Sequence, residues 1–228
     1  MRGDVYLVGG DEFRAACEPL DRAMLATLPR DPRVLIVPTA AAFERPERAV
    51  ANGIEYFRRL GAYAAPLPVL RRTDADDPEL ADRVERVHLI YLTGGNPGHL
   101  LNTFRDSLVW RAIVRAVQAG TTLAGSSAGA MVLGTALVWG RNPTETGLGL
   151  VPVVVVPHAE VRPPEDIEAV ARLIDGGQIV LGIPTSGCVR VSGNSGVVVA
   201  GRVTVREENL VRIATPGTSI DLAGPDDV

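Results

Sequence analysis

Gly125-Ser126-Ser127-Ala128-Gly129 satisfies the pattern G-x-S-x-G between an apolar, β-prone run, Thr121–Ala124, and an apolar helix-prone stretch. In that setting a serine occupies a sharp strand-to-helix turn, and the small residues beside it let strand and helix meet closely. Ser127 is therefore the candidate nucleophile. The N–H of Ala128, at the start of the following helix, is placed to stabilise a developing oxyanion. A second glycine turn, Thr93-Gly94-Gly95-Asn96, closes the run Val87–Leu92. Carboxyl ends of neighbouring strands in an open α/β sheet converge on one crevice, so Gly95 is the candidate second oxyanion donor. Asn96, His99 and Ser126 are candidate substrate contacts around the same crevice.

A serine needs a base. The chain contains no lysine, which removes a Ser–Lys dyad, a Schiff-base lysine and a Walker-type phosphate lysine together. The base must then be one of three histidines. His88 opens a strand at its amino end, the wrong edge of the sheet. His99 lies one turn into the helix after Asn96 and lines the crevice. His158 follows the apolar run Val153–Val156 and sits at the carboxyl end of that strand, where the elbow also lies, so His158 is the expected base. The third member is less well marked. Glu145, in the loop Arg141–Glu145, is the expected acid, with Glu160, Glu165 and Asp166 the next carboxylates beyond His158. Cys17 and Cys188 fit no disulfide framework or metal spacing, and no His-x-x-x-His or Cys-x-x-Cys pair occurs, so neither metal nor cofactor is expected.

The elements that must position these groups alternate along the chain. Strands are expected at Val5–Val8, Val34–Val37, Ala64–Val69, Val87–Leu92, Thr121–Ala124 and Val153–Val156. Helices are expected over about Asp11–Leu28, Glu47–Leu60, Asp77–Val84, Ser107–Ala119 and Pro164–Ile174. The pattern predicts an α/β fold: a doubly wound, mostly parallel sheet with helices on both faces. From Gln178 onward short strands follow closely, at Ile179–Ile183, Cys188–Val191, Gly196–Ala200, Val203–Arg206 and Leu210–Ile213. They are expected to form a C-terminal antiparallel β extension of the same sheet. The tail from about Gly217 is expected to be loose.

At 228 residues the chain suits one domain, spanning 1–228. Net charge is −4 with no block of like charges, which argues against nucleic acid and a polybasic membrane patch as partners. No apolar run approaches about 18 residues, and the N-terminus lacks signal-peptide character, so a cytoplasmic protein is expected.

Leu92-Thr93-Gly94-Gly95-Asn96, Leu100-Leu101, the elbow Gly125–Ala130, Pro157-His158 and the late strand Leu181-Gly182-Ile183-Pro184 together resemble the dipeptidase E and cyanophycinase family of serine peptidases. That resemblance implies a fold like that of class I glutamine amidotransferases over the whole chain. It also implies cleavage of aspartyl peptide bonds or of the aspartate–arginine polymer cyanophycin. By position, Ser127 matches the nucleophile, His158 the base, and Gly95 with Ala128 the oxyanion hole. Two positions depart from the family pattern. Thr185 stands where an acidic residue commonly follows the Ile-Pro pair, and Asn142, with Glu145 three residues on, stands where the dipeptidase branch has an aspartate.

The expected function is a serine hydrolase acting on a short aspartyl peptide or isopeptide bond. The competing expectation is a non-catalytic protein that binds peptide or a small ligand and has lost the acid. A glutamine amidotransferase is disfavoured, because that chemistry wants cysteine at the elbow. The expected partner is a small peptide substrate, with a homodimer open as the assembly.

Overall fold

Val5–Val8, VYLV, is apolar at every position, the composition of a strand covered on both faces. The computed structural model, which describes residues 1–139, 142–162, 167, 170, 177–207 and 210–223, places it at the middle of an eight-stranded sheet. The strands are β1 (Val5–Val8), β2 (Arg33–Val37), β3 (Tyr63–Pro66), β4 (Leu89–Leu92), β5 (Thr122–Ser126), β6 (Ala136–Trp139), β7 (Asn142–Thr146), β8 (Val153–Pro157), β9 (Ile179–Ile183), β10 (Cys188–Ser192), β11 (Ser195–Ala200), β12 (Val203–Glu207), β13 (Leu210–Ala214) and β14 (Ser219–Asp221). The helices are α1 (Glu18–Leu25), α2 (Pro46–Arg59), α3 (Arg72–Ala75), α4 (Pro78–Asp82), α5 (Pro97–Phe104), α6 (Leu108–Ala119) and α7 (Ala128–Leu133).

The large sheet has the order β14-β11-β10-β1-β5-β4-β2-β3. Its half from β1 to β3 is parallel, and β10, β11 and β14 add to β1 in antiparallel fashion. Side chains of β1 alternate between two apolar layers. Val5 and Leu7 face the layer containing Leu100, Ile113 and Val132 of α5, α6 and α7, while Tyr6 and Val8 face Leu20, Met24 and Phe57 of α1 and α2. The expected doubly wound architecture is thus present. Local signals end the helices where the sequence indicates: the Ser107 hydroxyl accepts from the Trp110 N–H at the start of α6, and Gly120 closes that helix.

Four differences from the sequence expectation have physical causes. The late strands divide between two sheets. β10, β11 and β14 extend the large one, whereas β8, β9, β12 and β13 form a second sheet, in which β8 and β9 are parallel. The tail from Gly217 is not loose as far as Ala223, because Ile220 and Leu222 are buried and β14 pairs with β11. The expected loop at 141–145 is largely the second arm of a β6–β7 hairpin. The first helix begins at Glu18, since Asp11 and Phe13 take positive φ in the turn after β1. Most of the expected helix Pro164–Ile174 lies outside the described residues; Ile167 and Val170 within it are helical and buried.

Candidate active site

The carboxyl ends of β1, β5 and β4 are neighbours, and each continues into a glycine-bearing turn. At the end of β5 the backbone of Ser127 adopts φ 48° and ψ −109°, a left-handed-side conformation that costs a non-glycine residue energy. Two contacts sustain it. The Ser127 N–H donates to Val8 O (2.9 Å), and Met131 N–H donates back to Ser127 O (3.0 Å). Close packing completes the elbow: a Cβ at Gly125 would stand 2.5 Å from the carbonyl carbon of Gly129, so any larger residue there would push α7 off β5. The Ala128 N–H, at the first position of α7, lies outside the intrahelical ladder and next to Ser127.

His158 arrives from the second sheet, directly after β8, with φ 54°. Its N–H donates to Gly9 O (3.3 Å), tying the end of β8 to the end of β1. Gly10 leaves room for the imidazole, since a Cβ there would collide with the ring. As a result Ser127 Oγ and His158 Nε2 lie 3.0 Å apart. Gly95 and Ser127 line one cleft of about 370 Å³ with His158 and Gly94.

The remaining expected site residues fall differently. Glu145 is not in hydrogen-bond contact with His158. The β6–β7 hairpin carries it to the far end of α5, where its half-exposed carboxylate faces the Arg105 guanidinium at 3.7 Å. The partner of His158 Nδ1 is instead the Thr185 hydroxyl, 2.9 Å away. Thr185 N–H in turn donates to Glu160 Oε2 (2.8 Å). Burial works to raise the Glu160 pKa, but hydrogen bonds from the Thr185 side chain and backbone, with the nearby His158 charge, hold it below the usual carboxylate range. Glu165 and Asp166 lie outside the described residues.

Ser126 is buried rather than open to substrate, and its hydroxyl donates to Glu12 Oε2 (2.7 Å). Asn96 caps α5, its Oδ1 accepting from His99 N–H (2.9 Å). His99 turns away from the cleft: Nε2 meets Leu70 O at 2.7 Å and the ring packs against Phe43. His88 accepts from Arg33 N–H at the amino end of β4, away from the elbow.

Sequence reasoning missed Glu12. Its two oxygens bridge the glycine turn and the elbow, accepting from Gly94 N–H (2.7 Å) and Ser126 Oγ. Its position just past the carboxyl end of the central strand β1 was the available signal. Three arginines were missed too: Arg14, Arg45 and Arg48 line the cleft together with Asp11, Glu12 and Glu44. Among the described residues no group of three potential ligands is gathered for a metal ion, and no helix is long and apolar enough to cross a membrane.

A serine on a strained elbow, in contact with a histidine from a neighbouring strand end, has the arrangement of a serine-hydrolase-type site. Residues 5–199 match Peptidase family S51, and the chain belongs to that family. It is 30% identical over 189 residues to a cyanophycinase of Trichormus variabilis, covering 75% of this chain and 61% of the relative. It is 28% identical over 169 residues to a cyanophycinase of Geminocystis herdmanii, covering 68% and 61%. The chain thus spans about three fifths of the length of these curated relatives. Among solved structures it resembles a peptidase from an acI-B1 Actinobacterium, with a TM-score of 0.85 and 31% identity over 97% of each chain. A putative peptidase E protein from Listeria monocytogenes shares the fold at 18% identity, with a TM-score of 0.63 over 90% of this chain and 98% of that one.

Proposed function

We propose that the protein is a serine-type peptidase that cleaves a short aspartyl peptide or isopeptide bond, with Ser127 as nucleophile and His158 as base. The observation that carries this is the 3.0 Å contact between Ser127 Oγ and His158 Nε2 at the elbow. Ser127 Oγ attacks the scissile carbonyl carbon while its proton passes to His158 Nε2. The oxyanion is met by the N–H groups of Gly95 and Ala128. Collapse of the tetrahedral centre breaks the C–N bond, and the departing amine takes the proton from Nε2. A water then attacks the acyl ester, gives its proton to Nε2, and the carboxylate product leaves as that proton returns to Ser127. The sequence of steps uses no cofactor.

The cleft supports a small charged substrate. A volume of about 370 Å³ suits a dipeptide-sized molecule. Arg14, Arg45 and Arg48 supply positive charge for a substrate carboxylate, and Asp11, Glu12 and Glu44 supply the opposite charge for an ammonium beside it. The curated relatives named cyanophycinases add weight to an aspartyl bond as target.

A second reading, a binding protein without turnover, is favoured by one fact: Nδ1 of His158 meets a hydroxyl and not a carboxylate. A panel of aspartyl α- and β-dipeptides separates the two. The hydrolase turns over at least one member, and Ser127→Ala lowers that kcat by at least about a thousandfold while still binding the peptide. Absence of turnover across the panel, with equal binding by wild type and Ser127→Ala, would favour the binding protein.

A further inference from the structure

The departure at Thr185 is coupled to a carboxylate one residue further out. We propose that Glu160 is the positioning acid of this site and acts on His158 through the Thr185 hydroxyl, which accepts from Nδ1–H and donates to the Glu160 carboxylate. This rests on the hydrolase assignment above and specifies how its base is oriented.

The donors and acceptors require this polarity. To take the Ser127 proton, His158 Nε2 must carry a lone pair, so the ring hydrogen sits on Nδ1. Nδ1–H then donates to Thr185 Oγ1 over 2.9 Å. The threonine hydrogen then needs an acceptor of its own, and the Glu160 carboxylate is the acid held next to Thr185. The same carboxylate accepts the Thr185 backbone N–H at 2.8 Å. Thr185 is therefore held between the base and the acid.

Backbone geometry holds both ends of the relay. Glu160 lies in the single 3-10 turn Ala159–Val161 that follows His158, so one short segment supplies both base and acid. Thr185 lies in the tight turn between β9 and β10, closed by Gly187 N–H donating to Pro184 O (2.7 Å). That turn is docked on the end of β1 by Gly9 N–H donating to Gly187 O (3.0 Å) and Ser186 N–H donating to Gly10 O (3.4 Å). Ser186, next to Thr185 in that turn, adopts φ 59°, and His158 adopts φ 54°. When Ser127 gives up its proton, the new positive charge on the imidazole is stabilised across two hydrogen bonds. Glu160 touches neither substrate nor the reacting atoms.

The test measures fluorophosphonate labelling of Ser127, resolving the maximal labelling rate from the probe's half-saturation. Wild type, Thr185→Val, Thr185→Ser, Glu160→Gln and the double variant Thr185→Val/Glu160→Gln are compared, with thermal unfolding of each as the folding control. The relay predicts a maximal rate about 100-fold lower in Thr185→Val and about tenfold lower in Glu160→Gln, with half-saturation unchanged. Thr185→Ser, which keeps the hydroxyl, labels within about threefold of wild type, and the double variant is no slower than Thr185→Val alone. The relay is overturned if Thr185→Val labels at the wild-type rate, or if Thr185→Ser is as slow as Thr185→Val. It is also overturned if Glu160→Gln slows the Thr185→Val background by its full factor. Should Thr185→Val fail to fold, Glu160→Gln and Thr185→Ser decide the matter by the same rates. Failure of the wild type to label at Ser127 removes the hydrolase assignment itself, an outcome distinct from a labelled wild type insensitive to Thr185 and Glu160.

Discussion

Ser127 and His158 were legible as residues because their chemistry has few substitutes: one serine in G-x-S-x-G, three histidines and no lysine. Carboxylates gave no such leverage, being numerous and mostly surface groups. Glu145 stood out only by lying between nucleophile and base in sequence, whereas contact with His158 is made by Thr185, 27 residues further on and in a different turn. Glu12 was hidden for a related reason, since its partners Gly94 and Ser126 are 82 and 114 residues away. Its bridge makes a definite prediction. Glu12→Ala leaves the buried Ser126 hydroxyl and the Gly94 N–H without their acceptor, which costs about 1–3 kcal/mol of stability. The glycine turn bearing Gly95 also loses its tie to the elbow, so labelling of Ser127 by a fluorophosphonate should slow by about tenfold. Denaturant unfolding and labelling rates measure the two effects, and unchanged values of both would show that the turn is held without Glu12.

At the scale of elements, strands and helices with strong local signals were the most readable parts. β1 and β9 match their expected ranges, and α2 and α6 fall within a residue of theirs, because runs such as VYLV and caps such as Ser107 and Gly120 act locally. What local signals do not carry is which sheet a strand joins. β10 and β12 are both short and β-branched, and each follows a glycine turn, yet one pairs with β1 and the other with β9. That partition decides the geometry of the candidate site, because the parallel pair β8 and β9 carries His158 and Thr185 at its adjacent carboxyl ends. The elbow is sensitive to substitution. At Gly125 even one methyl meets Gly129 backbone atoms that α7 cannot move without losing its packing on β5. Gly125→Ala should therefore cost about 2 kcal/mol or more, seen as a lowered Tm, and should abolish Ser127 labelling. Full labelling with an unchanged Tm would mean that the strand–helix approach is looser than the structure shows.

Across the whole molecule, one buried group links stability to pH. Asp21 is fully buried beneath α2, its Oδ2 accepting from the Tyr56 hydroxyl (2.7 Å), while Oδ1 has no hydrogen-bond partner among the described residues. Burial pushes its carboxyl up to about 7, against a lowering by the Tyr56 hydrogen bond and helped by the nearby Glu12 charge. A carboxyl with a raised pKa binds its proton more tightly folded than unfolded, so its contribution to stability falls as pH rises from about 4 to about 7. Asp21→Asn keeps an acceptor for Tyr56 and removes the titration. Denaturant unfolding should show wild type losing up to a few kcal/mol more than Asp21→Asn between pH 5 and pH 8, and parallel curves would contradict it. The fold class, the family and the elbow position of Ser127 were thus accessible from sequence, while the partners of His158 depended on how two sheets meet. The account turns on whether Ser127 and His158 work as a pair. Intact-mass and peptide-mapping analysis after fluorophosphonate treatment tests this most directly, using wild type, Ser127→Ala and His158→Ala. The account predicts one phosphonyl adduct, located on Ser127, in wild type and none in either variant; an unmodified wild type, or an adduct that survives at equal rate in His158→Ala, would contradict it.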